Sequence, residues 1–363
     1  MDRATEAIIL VGGMGTRLRP LTVTTPKPLL PLAGVACIEH QLAALQAAGI
    51  EHVVLATSYR AETFTTALGD GSSLGLRVDY ATEDAPLGTG GAIRHAAALL
   101  DAEPDTDPDS PIVVLNGDIL SGHDIRTQVA LHVQRHADVT LHLTEVADAR
   151  SFGCVPTDDD GRVIAFLEKM PQPVTNRVNA GCYVFRRDII DEIPPGQVVS
   201  VERDVFPGLL ARRAVVLGYV EVAYWLDLGT PEAFVRGSRD LVTGRLPSLA
   251  LPGPPGRHLL LPGAKVDPAA TVTGGAVLGR DVVVDAGALV DGAVVMDGAQ
   301  IGADAVVRDS IVGAGAVIGE GTVVDGAVVG DDAYVGAGNE LRAGVRIWCH
   351  ARVGDCVVRF SAD

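Results

Sequence analysis

The sequence of this 363-residue chain predicts an α/β domain with a mostly parallel sheet, followed by a short parallel β-helix. Three observations predict it. Up to about residue 243, short apolar β-branched runs alternate with helical patterns. Residues 245–258, RLPSLALPGPPGRH, break that alternation with prolines and glycines. Beyond them an aliphatic residue recurs every six positions.

In the first part, strands are predicted at Glu6–Val11, His52–Thr57, Arg77–Thr82, Pro111–Leu115 and Val139–Val146. Between them lie patterns such as IEHQLAALQAAG, a helix that Gly49 terminates. Strands separated by helices imply a parallel sheet covered on both faces, with ligands outside the C-terminal strand ends at a switch point. The proline- and glycine-rich stretch reads as a linker. In the last part the series runs Val266, Val272, Leu278, Val284, Val290 and slips before resuming at Ile301. It slips again to Val312, Ile318, Val324, and ends Val335, Leu341, Ile347, Val353. Each coil stacks its aliphatic residue over the last, and about fifteen repeats at three per coil give about five coils. The pattern resembles the hexapeptide-repeat left-handed β-helix. The predicted organisation is therefore a domain over residues 1–243, a linker over 244–258 and a β-helix over 259–363.

Composition narrows the function. The net charge of −17, from 29 basic and 46 acidic residues, argues against nucleic acid, which binds a basic face. Small phosphorylated ligands need only local cations and stay open. The apolar run Ala7–Val11 is too short for a signal segment, and no stretch is long enough for a membrane span. The five cysteines (37, 154, 182, 349, 356) are odd in number and lack CxxC spacing, which predicts buried thiols in a reducing cytoplasm and no zinc site.

The most specific stretch is LVGGMGTRLRPLTVTTPKPLLP, residues 10–31. A strand stops in Gly12, Gly13 and Gly15, and Arg17, Arg19 and Lys27 follow. Bare backbone lets N–H groups approach anionic oxygens, and the cations supply charge, which is the physics of a phosphate cradle. It is neither a Walker A loop nor GxGxxG, since no Gly-Lys-Ser/Thr follows and Leu18 stands where the third glycine belongs. Lysine usage points the same way. Only Lys27, Lys169 and Lys265 occur, and two of them sit in PKP and FLEKMP. A compact ammonium is not interchangeable with a guanidinium at a crowded phosphate. In PIVVLNGDIL an apolar strand ends at Asn116-Gly117-Asp118; taken alone, the Asn-Gly pair also suits a hairpin turn.

The string GGMGTRLRPLT with PKPLLP resembles the signature of the sugar-1-phosphate nucleotidyltransferases, and the resemblance covers essentially the whole chain. It implies a Rossmann-like mixed-sheet domain followed by the left-handed β-helix. It also implies transfer of a nucleotidyl group from an NTP to a hexose 1-phosphate, with mannose 1-phosphate favoured. By resemblance Val11, Gly12, Gly13, Gly15, Thr16, Arg17 and Lys27 hold the nucleotide phosphates, with Gly88 of PLGTGG and Asn116 also on the nucleotide. Lys169 takes the phosphate of the sugar 1-phosphate. Asp118, Gly153, Glu168 and Asn179 surround the sugar phosphate. Asp118 and Asp227, the latter in YWLDLGTPEAF, are the implied Mg²⁺ ligands. Arg17, Lys27 and Lys169 are the implied catalytic cations. The segment departs from the family pattern at EKM, where Glu-Lys-Pro is usual.

Glu83 matches the position that meets the base edge. Guanine presents two adjacent donors, which suit a carboxylate and favour GTP. A Glu83 that merely caps its strand, with loop backbone reading the base, is the competing reading. Other acceptors, such as glucose 1-phosphate or a cyclitol phosphate, fit the same chemistry, and a non-catalytic regulatory subunit fits the same fold. A solenoid end needs a cap or a partner. Ile347, Trp348 and Phe360 therefore predict a homo-oligomer in which residues after about 258 serve assembly rather than chemistry.

Overall fold

The computed structural model describes residues 4–58, 60–100, 110–167 and 170–359. The chain divides into two compact units, Met1–Gly13 with Gln41–Trp225, and Met14–His40 with Leu226–Asp363. Among the described residues no helix is long and apolar enough to cross a membrane.

The first unit is built on a seven-stranded sheet. Its strands are β1 (Glu6–Leu10), β2 (His52–Thr57), β3 (Arg77–Thr82), β4 (Pro111–Asn116), β5 (Val139–Glu145), β6 (Arg177–Arg186) and β7 (Val216–Val220). They lie in the order β7-β5-β6-β4-β1-β2-β3. Only β6 runs antiparallel to its neighbours. Ile8, Val54, Val114, Leu141, Tyr183, Phe185 and Phe206 share one buried core. The strands predicted from sequence are present. β6 and β7 were not predicted, because each carries a glycine that interrupts its apolar run. Gly181, in β6, is left-handed at φ 77°. Gly218, in β7, gives way to Leu143 and Thr157, whose carbons would lie 2.6 and 2.8 Å from an added Cβ.

In the second unit, seventeen short strands form parallel stacks of six, six and five, the arrangement of a left-handed β-helix. One stack runs in register through Leu259, Val277, Val294, Ile311, Val328 and Arg346. That is nearly six coils rather than about five, since His258–Leu260 opens a coil ahead of Val266, where the six-residue series begins. The slips also have a cause. Successive interior residues lie six apart except across one corner, where Val290 is followed by Val295, Val307 by Val312 and Val324 by Val329. The corner residues Gly292, Asp309 and Gly326 are all left-handed, and the tight turn shortens those coils by one residue.

The C-terminal coil is closed from inside. The fully buried Asn339 donates through Nδ2 to Gly336 O (2.8 Å) and Gly354 O (2.9 Å), and its Oδ1 accepts from Val357 N (3.0 Å) and Val358 N (2.8 Å). Ile347 is half-buried against the core and Trp348 is exposed; Phe360 lies outside the described residues. Cys37, Cys154 and Cys182 are buried thiols as expected, but Cys349 is half-buried and Cys356 exposed, because they fall on the outer face of the last coil.

Candidate active site

The chain runs β1, β2, β3 to one side of the sheet and resumes at β4 on the other side of β1, so β1 and β4 flank the switch point. Leu10 pairs with Asn116, and the next residue along, Gly117, donates its N–H to Leu10 O (2.9 Å). A Cβ on Gly117 would stand 2.7 Å from that oxygen and 2.8 Å from Val11 Cγ1. Glycine therefore lets Asn116-Gly117-Asp118 turn off against the start of the glycine loop, and places Asp118 just beyond the C-terminal end of β4. Gly12 is similarly constrained. Ser58 Oγ donates to its carbonyl (2.9 Å) and would lie 2.8 Å from an added Cβ.

Glu83 follows β3, its N–H bonded to Thr57 O (2.9 Å). Its Oε2 accepts from Leu87 N (3.3 Å), while Oε1 is buried with no hydrogen-bond partner among the described residues. Burial pushes its carboxyl pKa up, against the opposing Leu87 hydrogen bond and the nearby His95. The carboxylate thus braces the PLGTGG loop through one oxygen and leaves the other without a hydrogen-bond partner among the described residues. Helix α1 (Gly88–Ala97) starts in that loop. Gly90 and Gly91 donate to Val199 O (2.8 and 3.2 Å), and at Gly88 (φ 70°) an added Cβ would meet the same oxygen at 2.6 Å. The glycines serve a close backbone crossing, which makes the loop a floor rather than a phosphate cradle.

On β6, Asn179 donates its N–H to Gly153 O (3.1 Å) and its Nδ2 to the hydroxyl of fully buried Tyr183 (2.8 Å). Its Oδ1 accepts from Gly181 N (3.1 Å), and an added Cβ on Gly181 would sit 2.9 Å from Asn116 Nδ2. Trp225 donates its indole N–H to Ala180 O (2.9 Å) and packs edge-on to Phe152 with ring centroids 5.4 Å apart. Gly153, Asn179 and Asn116 thus form one polar neighbourhood held by two aromatic residues.

In the second unit the signature segment folds into three single-turn 3₁₀ helices, Thr16–Leu18, Leu21–Val23 and Lys27–Leu29. Gly15 precedes them at φ 60°, packed so closely that an added Cβ would lie 3.0 Å from carbons of both Lys27 and Thr22. Thr22 Oγ1 donates back to Gly15 O (2.9 Å). Lys27 is buried between Pro26 and Pro28, and Thr16 and Arg17 are exposed. The Arg17 guanidinium lies over Gly229, and Asp227 Oδ1 would stand 2.8 Å from a Cβ there. Glycine at 229 leaves room for a cation and a carboxylate side by side. Beyond it Thr230 caps helix α2 (Pro231–Val242), its Oγ1 accepting from Ala233 N (3.2 Å). Asp118 and Asp227 both offer hard oxygen donors, the donor chemistry that Mg²⁺ requires.

The nucleotidyl transferase family model matches residues 6–244, and the GMPPB C-terminal domain matches 255–359. The chain belongs to the nucleotidyl transferase family. It is 52% identical over 359 residues to the mannose-1-phosphate guanylyltransferase of Mycobacterium tuberculosis, covering 99% of this chain and 98% of that one. It is 33% identical over 288 residues to mannose-1-phosphate guanylyltransferase 1 of Arabidopsis thaliana, covering 78% and 77%. Among solved structures, HddC from Yersinia pseudotuberculosis is 29% identical with a TM-score of 0.56, covering 65% of this chain and 99% of that one. The same protein complexed with GMP-PN gives 28% and 0.56 over the same shares.

In this nucleotidyltransferase, Val11, Gly12, Gly13, Asn116 and Asp118 come together at the switch point, and Gly153 joins Asn179. Gly15, Thr16, Arg17 and Lys27 form a second group with Asp227 nearby. Glu168 and Lys169 lie outside the described residues. Sequence reasoning missed Tyr183, Trp225 and Glu202. Glu202 accepts from Thr89 Oγ1 (2.8 Å) and Ser200 Oγ (2.9 Å), tying the glycine floor to its neighbour. The tryptophan beside Asp227 was the one available signal. His123 and His142 stack at 3.8 Å with 12° between their planes, and His123 hydrogen-bonds Glu221 and Gln128 (2.6 Å each). In-plane lone pairs of parallel rings run side by side instead of converging on one ion, so the stack reads as packing.

Proposed function

We propose that this enzyme transfers the guanylyl group of GTP to mannose 1-phosphate, forming GDP-mannose and pyrophosphate. The observation that carries the reading is the likeness to the mycobacterial mannose-1-phosphate guanylyltransferase along both parts of the chain. The strand-end carboxylate, glycine turn and cationic signature fit the chemistry. An oxygen of mannose 1-phosphate attacks the GTP α-phosphorus; the bond to the β-phosphate oxygen breaks and pyrophosphate leaves. The attacking phosphate is already anionic at neutral pH, so positioning and charge neutralisation replace a general base.

Arg17 and Lys27 hold the departing phosphates, with Gly12, Gly13, Gly15 and Thr16 offering backbone around them. Lys169 holds the incoming phosphate, while Glu168, Asn179 and Gly153 bind the sugar. The free Glu83 oxygen accepts from guanine, with the Gly88 loop beneath. Asp118 and Asp227 would hold Mg²⁺, which when bound neutralises phosphate charge. The same reading keeps 1–243 as catalytic domain, 244–258 as linker and 259–363 as β-helix, in a cytoplasmic homo-oligomer. Phosphorus NMR of the protein with GTP, mannose 1-phosphate and Mg²⁺ tests it. GDP-mannose and pyrophosphate should appear in equal amounts, and GTP breakdown without sugar nucleotide would overturn it.

A further inference from the structure

The signature segment and the C-terminal coils belong to one compact unit, and three side chains of those coils reach it. Arg346 Nη1 donates to the carbonyls of Arg17 and Arg19, both at 2.7 Å. Asp331 Oδ2 accepts from Thr24 Oγ1 (2.6 Å), and Cys349 Sγ lies 3.6 Å from Pro20 O. Gly330 completes the seat, since an added Cβ would stand 3.0 Å from Pro20 Cγ.

Arg346 also breaks a pattern. Its register positions in the preceding coils are Leu259, Val277, Val294, Ile311 and Val328, all aliphatic. A charge appears in that ladder only where the ladder meets the signature segment. Among the described residues the guanidinium's hydrogen-bond partners are those two carbonyls, and it is not spent on a carboxylate.

One guanidinium bridging carbonyls two residues apart fixes two peptide planes at once. Arg17, whose carbonyl is held, carries the side chain that lies beside Asp227 at Gly229. We infer that Arg346 is a positioning residue for nucleotide turnover: the β-helix, through Arg346 with Asp331 in support, holds the phosphate-binding segment in its working shape. This rests on the proposed nucleotidyl transfer. It gives residues after about 258 a part in the chemistry beside the assembly proposed above.

The test compares wild type, Arg346→Ala and Arg346→Lys. Arg346 is exposed on a short strand near the chain end, so both variants should fold. Arg346→Ala should lower kcat/KM for GTP about tenfold, the scale of a lost charge-assisted contact, and leave the KM for mannose 1-phosphate unchanged. Arg346→Lys, which keeps a donor, should recover part of the loss. Amide exchange over residues 16–25 should quicken about tenfold in the alanine variant, with β5 unaffected. Unchanged exchange over 16–25, or equal losses for both substrates with exchange raised everywhere, would overturn the inference. Should wild type release no pyrophosphate, the proposed function fails while the exchange comparison still decides the role of Arg346.

Discussion

In the sheet unit a residue matters because of where its strand ends; in the β-helix it matters because of its place in the coil. Asp118, Glu83 and Asn179 each occur once, at the end of a strand or beside a bulge, with no counterpart elsewhere. Val284, Ile301, Ile318 and Val335 occupy equivalent interior positions, and each supports the next. The β-helix turns singular only at its end. The corner positions Ala288, Ala305 and Thr322 lead to Asn339, and the aliphatic ladder ends in Arg346. Repetition builds the support, and its exceptions mark where the support must close or take hold of something.

That contrast can be broken in both regions. The largest expected effect is Asn339→Ala, which strands several buried backbone groups. It should cost about 4 kcal/mol of stability, read from denaturant midpoints, with turnover per folded molecule little changed. Asp118→Asn and Asp227→Asn should do the reverse, with a rate loss on the order of 10²-fold or more and an unchanged midpoint. Turnover like wild type in either would remove that aspartate from the site.

Acid should also separate the regions. Burial lowers His132 to about 4, with Arg186 adding to the effect, and burial with His123 beside it lowers His142 to about 2. Both lie in the sheet unit and stay neutral while their unfolded counterparts protonate. Stability therefore rises with pH, from about 4 to 6.5 for His132 and from about 2 to 6.5 for His142, and is lost as pH falls through those windows, by on the order of 3 kcal/mol for His132. In His132→Gln the slope of the denaturant midpoint against pH should flatten. Among the described residues the β-helix interior is polar only at Ser310, Thr322 and Asn339, none of which titrates in those windows.

The smallest effect sharpens specificity. Glu83 is raised by burial, and guanine donors favour its ionised form. GTP affinity should therefore fall as pH drops through the raised pKa, above the ordinary glutamate range. Glu83→Gln should lower kcat/KM for GTP about tenfold and narrow the gap to UTP and dTTP, with ITP between. An unchanged ranking would move base recognition to the loop backbone.

The switch-point carboxylate, the signature segment and the six-residue period were all legible in the sequence, because each rests on local residue types in fixed order. Three features were not. β6 hid behind Gly181 and polar Asn179, whose partners come from Tyr183 and Gly153, close in space rather than in pattern. The coil slips reflect a left-handed corner that Asp309 occupies as well as Gly292 and Gly326, so no single residue type marks it. The hold of Arg346 on residues 17 and 19 joins positions more than 300 apart, which no periodicity encodes.

The central claim, guanylyl transfer to mannose 1-phosphate, is tested most directly by pyrophosphate release from wild-type protein with Mg²⁺. GTP, ITP, ATP, UTP and dTTP would each be paired with mannose 1-phosphate and glucose 1-phosphate. The account predicts the highest kcat/KM for GTP with mannose 1-phosphate, with pyrimidine nucleotides well below. A highest value for a pyrimidine nucleotide, or for glucose 1-phosphate with any nucleotide, would contradict it.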